Sequence, residues 1–172
     1  MLFGASPFGV SATVSKHTST KTTWQFSVGG APKTAFDVPV NGVNYSMDTE
    51  SLWVGCFVNH RPFVERDWFR LVTGIAIGTI ENSLRDSQGN RFLAEYRESP
   101  VAYMGFGFGV TTRPGITLGL DIGWLQSAGA RISYQGGSLS PDEQRARMEA
   151  ISDDFFFGSF LPNIQLGLGY NL

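Results

Sequence analysis

The last nine residues of the chain, 164–172, alternate strictly between large apolar side chains and small or polar ones. A repeat of two residues indicates a β-strand whose two faces meet different surroundings. On a soluble protein the polar face normally carries charged residues, serine or threonine. A bulky apolar face opposite glycine is typical of a strand with lipid outside and a narrow barrel interior behind it. The bulky face comprises Ile164, Leu166, Leu168, Tyr170 and Leu172, and the small face comprises Gln165, Gly167, Gly169 and Asn171.

Seven segments of the chain carry an alternating or strongly β-forming pattern, whereas bacterial single-chain barrels use an even number of strands. We therefore predict an eighth strand, and three places are open for it: the N-terminus, residues 131–136 and residues 155–160. The seven recognised segments are 8–15, 24–29, 43–60, 68–80, 103–110, 116–124 and 164–172.

The volume of the bulky side chains decides which face points outward. Four or five large residues per strand do not fit the lumen of an eight-stranded barrel, which is just wide enough for side chains to fill. We therefore predict an all-β fold, a transmembrane antiparallel up-and-down β-barrel of eight strands, as a single outer-membrane domain over residues 1–172. The residues predicted to face lipid include Phe106, Phe108, Leu118, Leu120, Ile122, Leu166 and Leu168.

The connections between the predicted strands alternate between short and long. Outer-membrane barrels have short periplasmic turns and longer extracellular loops, so the asymmetry favours the same fold. The predicted short turns are 16–21, 61–67 and 112–115, and the predicted long loops are 31–42, 81–99 and 126–160.

Aromatic residues fall near the ends of the predicted strands. Amphipathic rings at these places form girdles at the two membrane interfaces, although aromatic residues are also ordinary strand formers. The residues are Trp24, Trp53, Trp68, Trp124 and Tyr170.

One helix interrupts the strand pattern. Ser140-Pro-Asp-Glu143 is a capping box with proline at the first helical position, so we predict a short helix near residues 141–152. Its polar composition indicates a surface helix within the last long connection. The apolar run Phe155-Phe-Phe157 that follows is predicted to pack locally.

Polar residues on the small faces of the strands form the candidate site. Arg70 and Asp121 each fall on the inner face of a clear strand, where a buried charge needs a partner. We predict an Arg70–Asp121 pair inside a polar network that closes the lumen; a narrow polar conduit is the alternative. The predicted network comprises Arg70, Tyr103, Asp121 and Gln165, with Gln25 as a further candidate.

Composition excludes several other classes of protein. The net charge of -2 and the absence of a Lys/Arg-rich run give no basis for nucleic-acid binding. Cys56 is the one cysteine, so an internal disulfide and a cysteine-based zinc site are excluded. The mean hydropathy is -0.05, and no apolar run approaches the roughly 18 residues of a spanning helix.

No residue set indicates catalysis, a cofactor or a metal. His17 and Ser19 have the His-x-Ser spacing found in outer-membrane lipid A deacylases, but in a different sequence context, so a solvated turn is favoured. Residues 1–4 show neither the basic segment nor the apolar run of a secretory signal. Since an outer-membrane protein is exported, we expect the leader to have been removed from this chain.

Asn59-His-Arg-Pro-Phe63, Phe69-Arg-Leu-Val-Thr-Gly74 and the terminal Leu168-Gly-Tyr170 resemble small bacterial outer-membrane β-barrel proteins of the OmpA-like and OmpW-like kind. The resemblance covers most of residues 8–172, and its motifs are structural. It implies a C-terminal strand that the barrel-assembly machinery recognises. Tyr170 matches that signal, whereas Leu172 stands where phenylalanine is commonest.

The sequence leaves several functions open. We expect a monomer in the Gram-negative outer membrane, in contact with its lipid, with a structural or surface-interaction role and a closed lumen. The alternatives are passage or binding of small hydrophobic molecules, and a soluble lipid-binding β-barrel. A lipid-modifying enzyme is a further alternative, and it requires a His/Ser/acid cluster at the outer rim.

Overall fold

Eight antiparallel strands close into a ring, which confirms the predicted barrel. The computed structural model describes residues 1–63, 68–97, 100–109 and 115–171. The ring order is β1-β2-β3-β4-β5-β7-β8-β10, and β10 returns to pair with β1. The elements within the described residues are β1 Leu2–Ser6, β2 Gly9–His17, β3 Thr22–Val40, β4 Val43–His60, β5 Phe69–Asp86, β6 Arg91–Arg97, β7 Val101–Phe108, β8 Gly115–Gln126, β9 Arg131–Gly136, α1 Pro141–Ser152 and β10 Phe160–Asn171.

The eighth strand of the ring is the N-terminal one. β1 pairs with β2 on one side and with β10 on the other, so that Leu2 lies opposite both Thr13 and Gly169. Of the other two places left open, residues 131–136 do form a strand, but outside the ring, and 155–160 contributes only Phe160 to β10. At five residues β1 is too short to show the alternation clearly.

Two of the three connections predicted as long loops, 31–42 and 81–99, are largely β-structure within the described residues, and for these two the prediction was wrong. The third connection, 126–160, contains the short strand β9 and helix α1. β3 and β4 stay paired from the ring out to Val40 and Val43, apart from a bulge between Ala31 and Thr34. β5 pairs with β7 as far as Ala76 and with β6 from Thr79 onward. β6 in turn pairs with β9. Of the predicted positions, residues 64–67 and 112–114 of two short turns, together with Val110 and Leu172, lie outside the described residues.

These extensions form a dome over one end of the ring, which we define as residues 31–51, 79–97 and 130–159. The turn 18–21 between β2 and β3 and both ends of the described chain lie at the opposite end of the ring, which we call the short-turn end. Along β4 the apolar face changes side: Leu52 and Val54 are exposed on the outside of the ring, whereas Tyr45 and Met47 are buried inside the dome. The dome core consists of Val38, Val40, Tyr45, Met47, Leu84, Phe92, Ala94, Ile151 and Phe157.

Helix α1 has the predicted bounds and the predicted start. The Glu143 carboxylate accepts hydrogen bonds from the Ser140 hydroxyl at 2.6 Å and from the Ser140 amide at 2.9 Å, and these bonds hold the pKa of Glu143 below its usual range. Ile151 is fully buried in the dome core, so the helix docks by its C-terminal turn. Of the predicted aromatic cluster, Phe157 is buried, whereas Phe155 and Phe156 are exposed. Within the described ranges, no helix has the length and apolarity to cross a membrane.

Candidate functional site

The outer face of the ring carries the bulky residues, as the volume argument requires. Phe106, Leu118 and Ile122 are 42%, 68% and 43% exposed, and Leu166 and Leu168 are exposed beside them. Phe108 and Leu120 lie opposite each other in register and are half-buried. The outside of the ring is therefore a continuous apolar belt.

Aromatic residues lie at both rims of this belt. Trp24, Trp68 and Tyr170 are near the short-turn end, and Trp68 stacks on Phe108 at 6.2 Å between ring centroids. Trp124 lies near the dome end and stacks on Phe160. The prediction for Trp53 was wrong.

Trp53 lies inside the ring because it is in the middle of β4, on the strand face that also carries Tyr45 and Met47 and that points inward. Its indole N–H donates to the Phe8 carbonyl at 3.2 Å, and the Ser51 hydroxyl donates to the same oxygen at 2.9 Å. These bonds fix the β1–β2 turn against the inner wall. Trp53 is thus a lumen residue.

An arginine–aspartate pair occupies the centre of the lumen. Arg70 on β5 is 2% exposed, and its Nη2 donates to Asp121 Oδ1 on β8 at 2.6 Å. Its Nε donates to Asn59 Oδ1 on β4 at 3.1 Å. Its Nη1 donates to the carbonyls of Phe108 and Gly109 at 3.4 and 3.3 Å. One guanidinium therefore links four strands across the barrel.

A second arginine lies between this pair and the short-turn end. Arg61 is 3% exposed and its Nη1 donates to Thr23 Oγ1 at 3.1 Å. Sequence reasoning missed both Arg61 and Asn59. The sequence pattern places Arg61 at the start of the predicted short turn 61–67 and Asn59 at the start of the Asn59–Phe63 motif, and it assigns neither to the lumen. The inward position of Asn59 follows from the register of β4.

The glycines of β7 and β8 provide the space for the two large lumen side chains. A Cβ on Gly107 would overlap Arg70 Nε and Asp121 Oδ1, and one on Gly119 would lie 3.3 Å from Arg70 Nη2. Cβ atoms on Gly105 and Gly123 would lie 2.7 and 2.8 Å from the Tyr103 hydroxyl. The glycines on the small face of the sequence pattern thus leave the space that the Arg70 and Tyr103 side chains occupy.

We expect Gly107→Ala to destabilise the barrel by about 1–3 kcal/mol, because the added methyl group would overlap both members of the ion pair and displace them. Gly167→Ala is the matched control, since its Cβ meets only Leu2 at 3.4–3.6 Å, an ordinary contact. Urea titration of the folded fraction measures both variants. Equal stability of the two variants would contradict this account of the small face.

A cavity of about 520 Å³ lies between the ion pair and the dome. Asp121 and Tyr103 border it from the lumen centre, and Tyr96 and Ala130 border it from the dome. Gln165 also borders it, and its Nε2 donates to Ser11 Oγ at 3.5 Å. The predicted residues Tyr103, Asp121 and Gln165 therefore surround one space, while Arg70 lies beneath it.

A row of charged residues on β4, β5 and β6 follows the apolar belt, and we define this collar as Glu50, Glu81, Glu95 and Arg97. Glu95 and Arg97 also border the cavity. In register, Glu50 lies opposite Glu81 and Glu81 opposite Glu95. Arg97 Nη2 contacts Glu81 Oε1 at 2.6 Å and Glu95 Oε1 at 2.8 Å. One guanidinium therefore bridges two of the three carboxylates.

The other candidates from the sequence lie away from the lumen. His17 Nδ1 is 2.8 Å from Thr23 Oγ1, and Ser19 Oγ accepts the amides of Lys21 and Thr22. Both are at the short-turn end, opposite the dome. Cys56 is a free cysteine on the outer face of β4.

An eight-stranded ring with an apolar belt outside and a polar, glycine-floored lumen inside defines an outer-membrane type of β-barrel. No protein-family model matches the chain, and no curated protein matches its sequence. The crystal structure of Acinetobacter baumannii CarO shares the fold with a TM-score of 0.74 and 16% identity, over 99% of this chain and 96% of that chain.

The crystal structure of Acinetobacter baumannii CarO2 matches equally well, with a TM-score of 0.75 and 16% identity. The alignment covers 98% of this chain and 95% of that one. At this identity the likeness shows a common fold that includes the parts outside the ring. A specific relation to OmpA-like or OmpW-like proteins stays a prediction.

Proposed function

We propose that this chain is an integral outer-membrane protein whose lumen is closed to ions and whose dome serves a structural or surface-interaction role. The observation that carries the proposal is the Arg70 cluster, in which one buried guanidinium joins β4, β5, β7 and β8. The apolar belt and the fold shared with the two CarO structures support the membrane location.

In our proposal the lumen is polar at its centre but offers ions no continuous path past Arg70, Asn59 and Arg61. Arg70, Asn59 and Arg61 are each at most 3% exposed, so two layers of polar groups fill the short-turn half of the barrel. Buried charges are tolerated there because Arg70 is paired with the Asp121 carboxylate and Arg61 donates a hydrogen bond to Thr23 Oγ1. The proposal assigns no catalytic step to the chain.

Planar-bilayer recording tests closure directly. We expect the wild-type barrel to give no conductance steps, and Asp121→Ala to give small ones, because Arg70 loses the partner that holds it across the lumen. Asp48→Ala is the control, since its ion pair with Lys33 lies on the surface of the dome. Wild-type channels would contradict the closed lumen, and a silent Asp121→Ala variant would count against a plug at this position.

The last strand is the part of the chain that we connect with assembly into the membrane. β10 carries the alternation that the assembly machinery is expected to recognise, and it pairs along its length with β8 and with β1. We propose that β10 delivers the chain to that machinery and that the protein is a monomer in outer-membrane lipid. A closed ring has no free edge to recruit a second copy.

Binding of small hydrophobic molecules is the second candidate function, and the cavity of about 520 Å³ favours it. Cavities of this size are in the range of small-molecule sites. The cavity also borders Ile77 and Thr79, where β5 changes partner from β7 to β6. Occupancy of the cavity is compatible with a lumen that stays closed to ions below it.

A further inference from the structure

The segment between α1 and β10 presents two phenylalanine rings on the outside of the dome. Phe155 and Phe156 are 62% and 54% exposed, and their rings contact each other edge-on at 5.8 Å between centroids. Phe157, the next residue, is 1% exposed and belongs to the dome core. The fold thus buries one ring of the run and leaves its two neighbours to contact something outside the dome.

Hydrogen bonds hold these rings on a well-defined turn. The Asp154 carbonyl accepts the amides of Phe157 and Gly158, each at 3.0 Å, and the Asp154 carboxylate accepts the Phe156 amide at 3.0 Å. The Tyr96 hydroxyl donates to the Gly158 carbonyl at 3.1 Å, which ties the turn to β6. Little conformational freedom is left to lose, so an external contact of the rings costs little in ordering.

The turn lies next to the apolar belt, because it continues the pairing of β8 with β10 beyond the ring. The Ser127 amide donates to the Ser159 carbonyl at 2.8 Å, and the Ala130 amide donates to the Phe157 carbonyl at 3.2 Å. The two segments of chain therefore stay side by side from the ring up to the dome core.

The dome-end rim of the belt is close to the two exposed rings. Phe160 is 53% exposed on the outside of the ring and stacks on Trp124. Four residues of chain lead from Phe156 to Phe160, which span at most about 14 Å when fully extended, and the turn shortens that distance. A bilayer carries a headgroup layer of about 5–8 Å on each side of its hydrocarbon core. Phe155 and Phe156 therefore lie beside this layer, where the apolar side chains of surface-bound segments insert.

The barrel wall formed by β4 differs from the wall beside β10. On β4 the outer face above Leu52 carries Glu50 and Asp48, so its apolar surface stops at the collar. Beside β10 the apolar surface continues past the rim to the two rings. Asp153 and Asp154 precede these rings, and a hydrated headgroup layer accommodates carboxylates that hydrocarbon excludes.

We propose that Phe155 and Phe156 insert into the lipid leaflet on the dome side of the membrane and anchor the dome to its surface. The partner is lipid because the rings continue the apolar belt, which is the face of the barrel that meets the bilayer. The inference rests on the membrane location proposed above and adds to it a lipid contact made by the dome. The β3–β4 hairpin of the dome stays in water.

Tryptophan fluorescence in vesicles of phospholipid brominated near the top of its acyl chains tests the insertion, because bromine quenches the indoles that it contacts. The reporter is Phe156→Trp in the full chain. Trp24→Phe, Trp68→Phe and Trp124→Phe accompany it, so that Trp53 inside the lumen remains as a constant background. We expect the reporter to lose most of its emission relative to vesicles of the unbrominated lipid.

Two variants in the same background are matched controls. Phe36→Trp replaces a dome ring that is 45% exposed near the tip of the β3–β4 hairpin, and it should keep its emission in brominated vesicles. Val54→Trp replaces an exposed residue of the apolar belt and should lose most of its emission. The emission maximum of Phe156→Trp should lie at shorter wavelength than that of Phe36→Trp. Heat-modifiable migration checks that each variant is folded.

Full emission from Phe156→Trp in brominated vesicles, with Val54→Trp quenched, would overturn this inference and leave the membrane location intact. A short-wavelength maximum without quenching would also overturn it, because the turn would then be covered by protein, such as a second copy of the chain. Full emission from Val54→Trp would contradict the membrane location and the lipid anchor with it.

Discussion

Asp121→Asn is expected to lower the free energy of unfolding by about 3–5 kcal/mol, the usual effect of removing one partner from a buried ion pair. Asparagine keeps the shape of the side chain but leaves the Arg70 guanidinium without its counter-charge. Asn59 and two backbone carbonyls still accept hydrogen bonds from Arg70, yet none of them carries a negative charge. Urea titration of the barrel in phospholipid vesicles, with folding scored by heat-modifiable migration, measures the change.

Two further variants are needed to interpret the stability of Asp121→Asn. Asp48→Asn breaks a surface pair with Lys33, 3.1 Å apart with the side chains 40% and 65% exposed, and should change stability by about 1 kcal/mol or less. The double variant Arg70→Met/Asp121→Leu removes both charges and should recover most of the loss. If Asp121→Asn cost no more than Asp48→Asn, the central pair would not be a structural element of the barrel.

Phe92→Ala is expected to destabilise the dome by about 3–5 kcal/mol and to leave the ring folded. Phe92 is fully buried, and its ring packs edge-on against Tyr45 at 6.0 Å and Tyr134 at 5.3 Å between centroids. Its removal leaves a cavity in the dome core. Hydrogen exchange should accelerate in β6, β9 and α1, while amides of β8 and β10 keep their protection.

Phe155→Ala is the control, because this ring is 62% exposed and its loss should change exchange little. Trypsin cleavage after Arg145 or Arg147 on α1 provides a second measure of dome opening. Loss of heat-modifiable migration in Phe92→Ala would show instead that the dome and the ring unfold as one cooperative unit.

Much of the barrel follows from local pattern alone. Strands such as β7 and β8 carry bulky apolar residues on one face and glycine with a few polar residues on most of the other, so their two faces are clear. The helix is equally local, because Ser140, Pro141 and Glu143 specify its start. β1 escapes this reasoning because five residues contain too little alternation, and closure of the ring is a property of its pairing with β10.

The dome could not be predicted from the same pattern because its apolar side chains point inward, whereas those of the ring point outward. Tyr45 and Met47 point inward and Asp48 outward, as in a soluble sheet, so the apolar face changes side along a continuous strand. A search for glycine opposite bulk ends where that change occurs. The signal that would have found the dome is the reversal itself, with strand formers continuing past it.

The Arg70–Asp121 pair was predictable from the sequence, whereas the cavity beside it was not. Arg70 and Asp121 each fall on the inner face of a clear segment, and a buried charge demands a partner. Asn163 borders the cavity but lies before the clear alternation of the last strand. Its inward position depends on the register that sets Asn163 opposite Gly123. Such register is fixed by the closed ring and leaves no mark on the local sequence.

The collar gives the barrel a defined height in a bilayer. On β4 the outer face passes from Leu52 to Glu50 within two residues, about 7 Å of strand. A barrel that sank by that distance would carry the Glu50–Glu81–Glu95 row into hydrocarbon, where carboxylates are costly. One that rose would lift the apolar belt into water. The point along each strand at which the outer face changes from apolar to charged therefore sets the depth of the barrel in the bilayer, to within two residues.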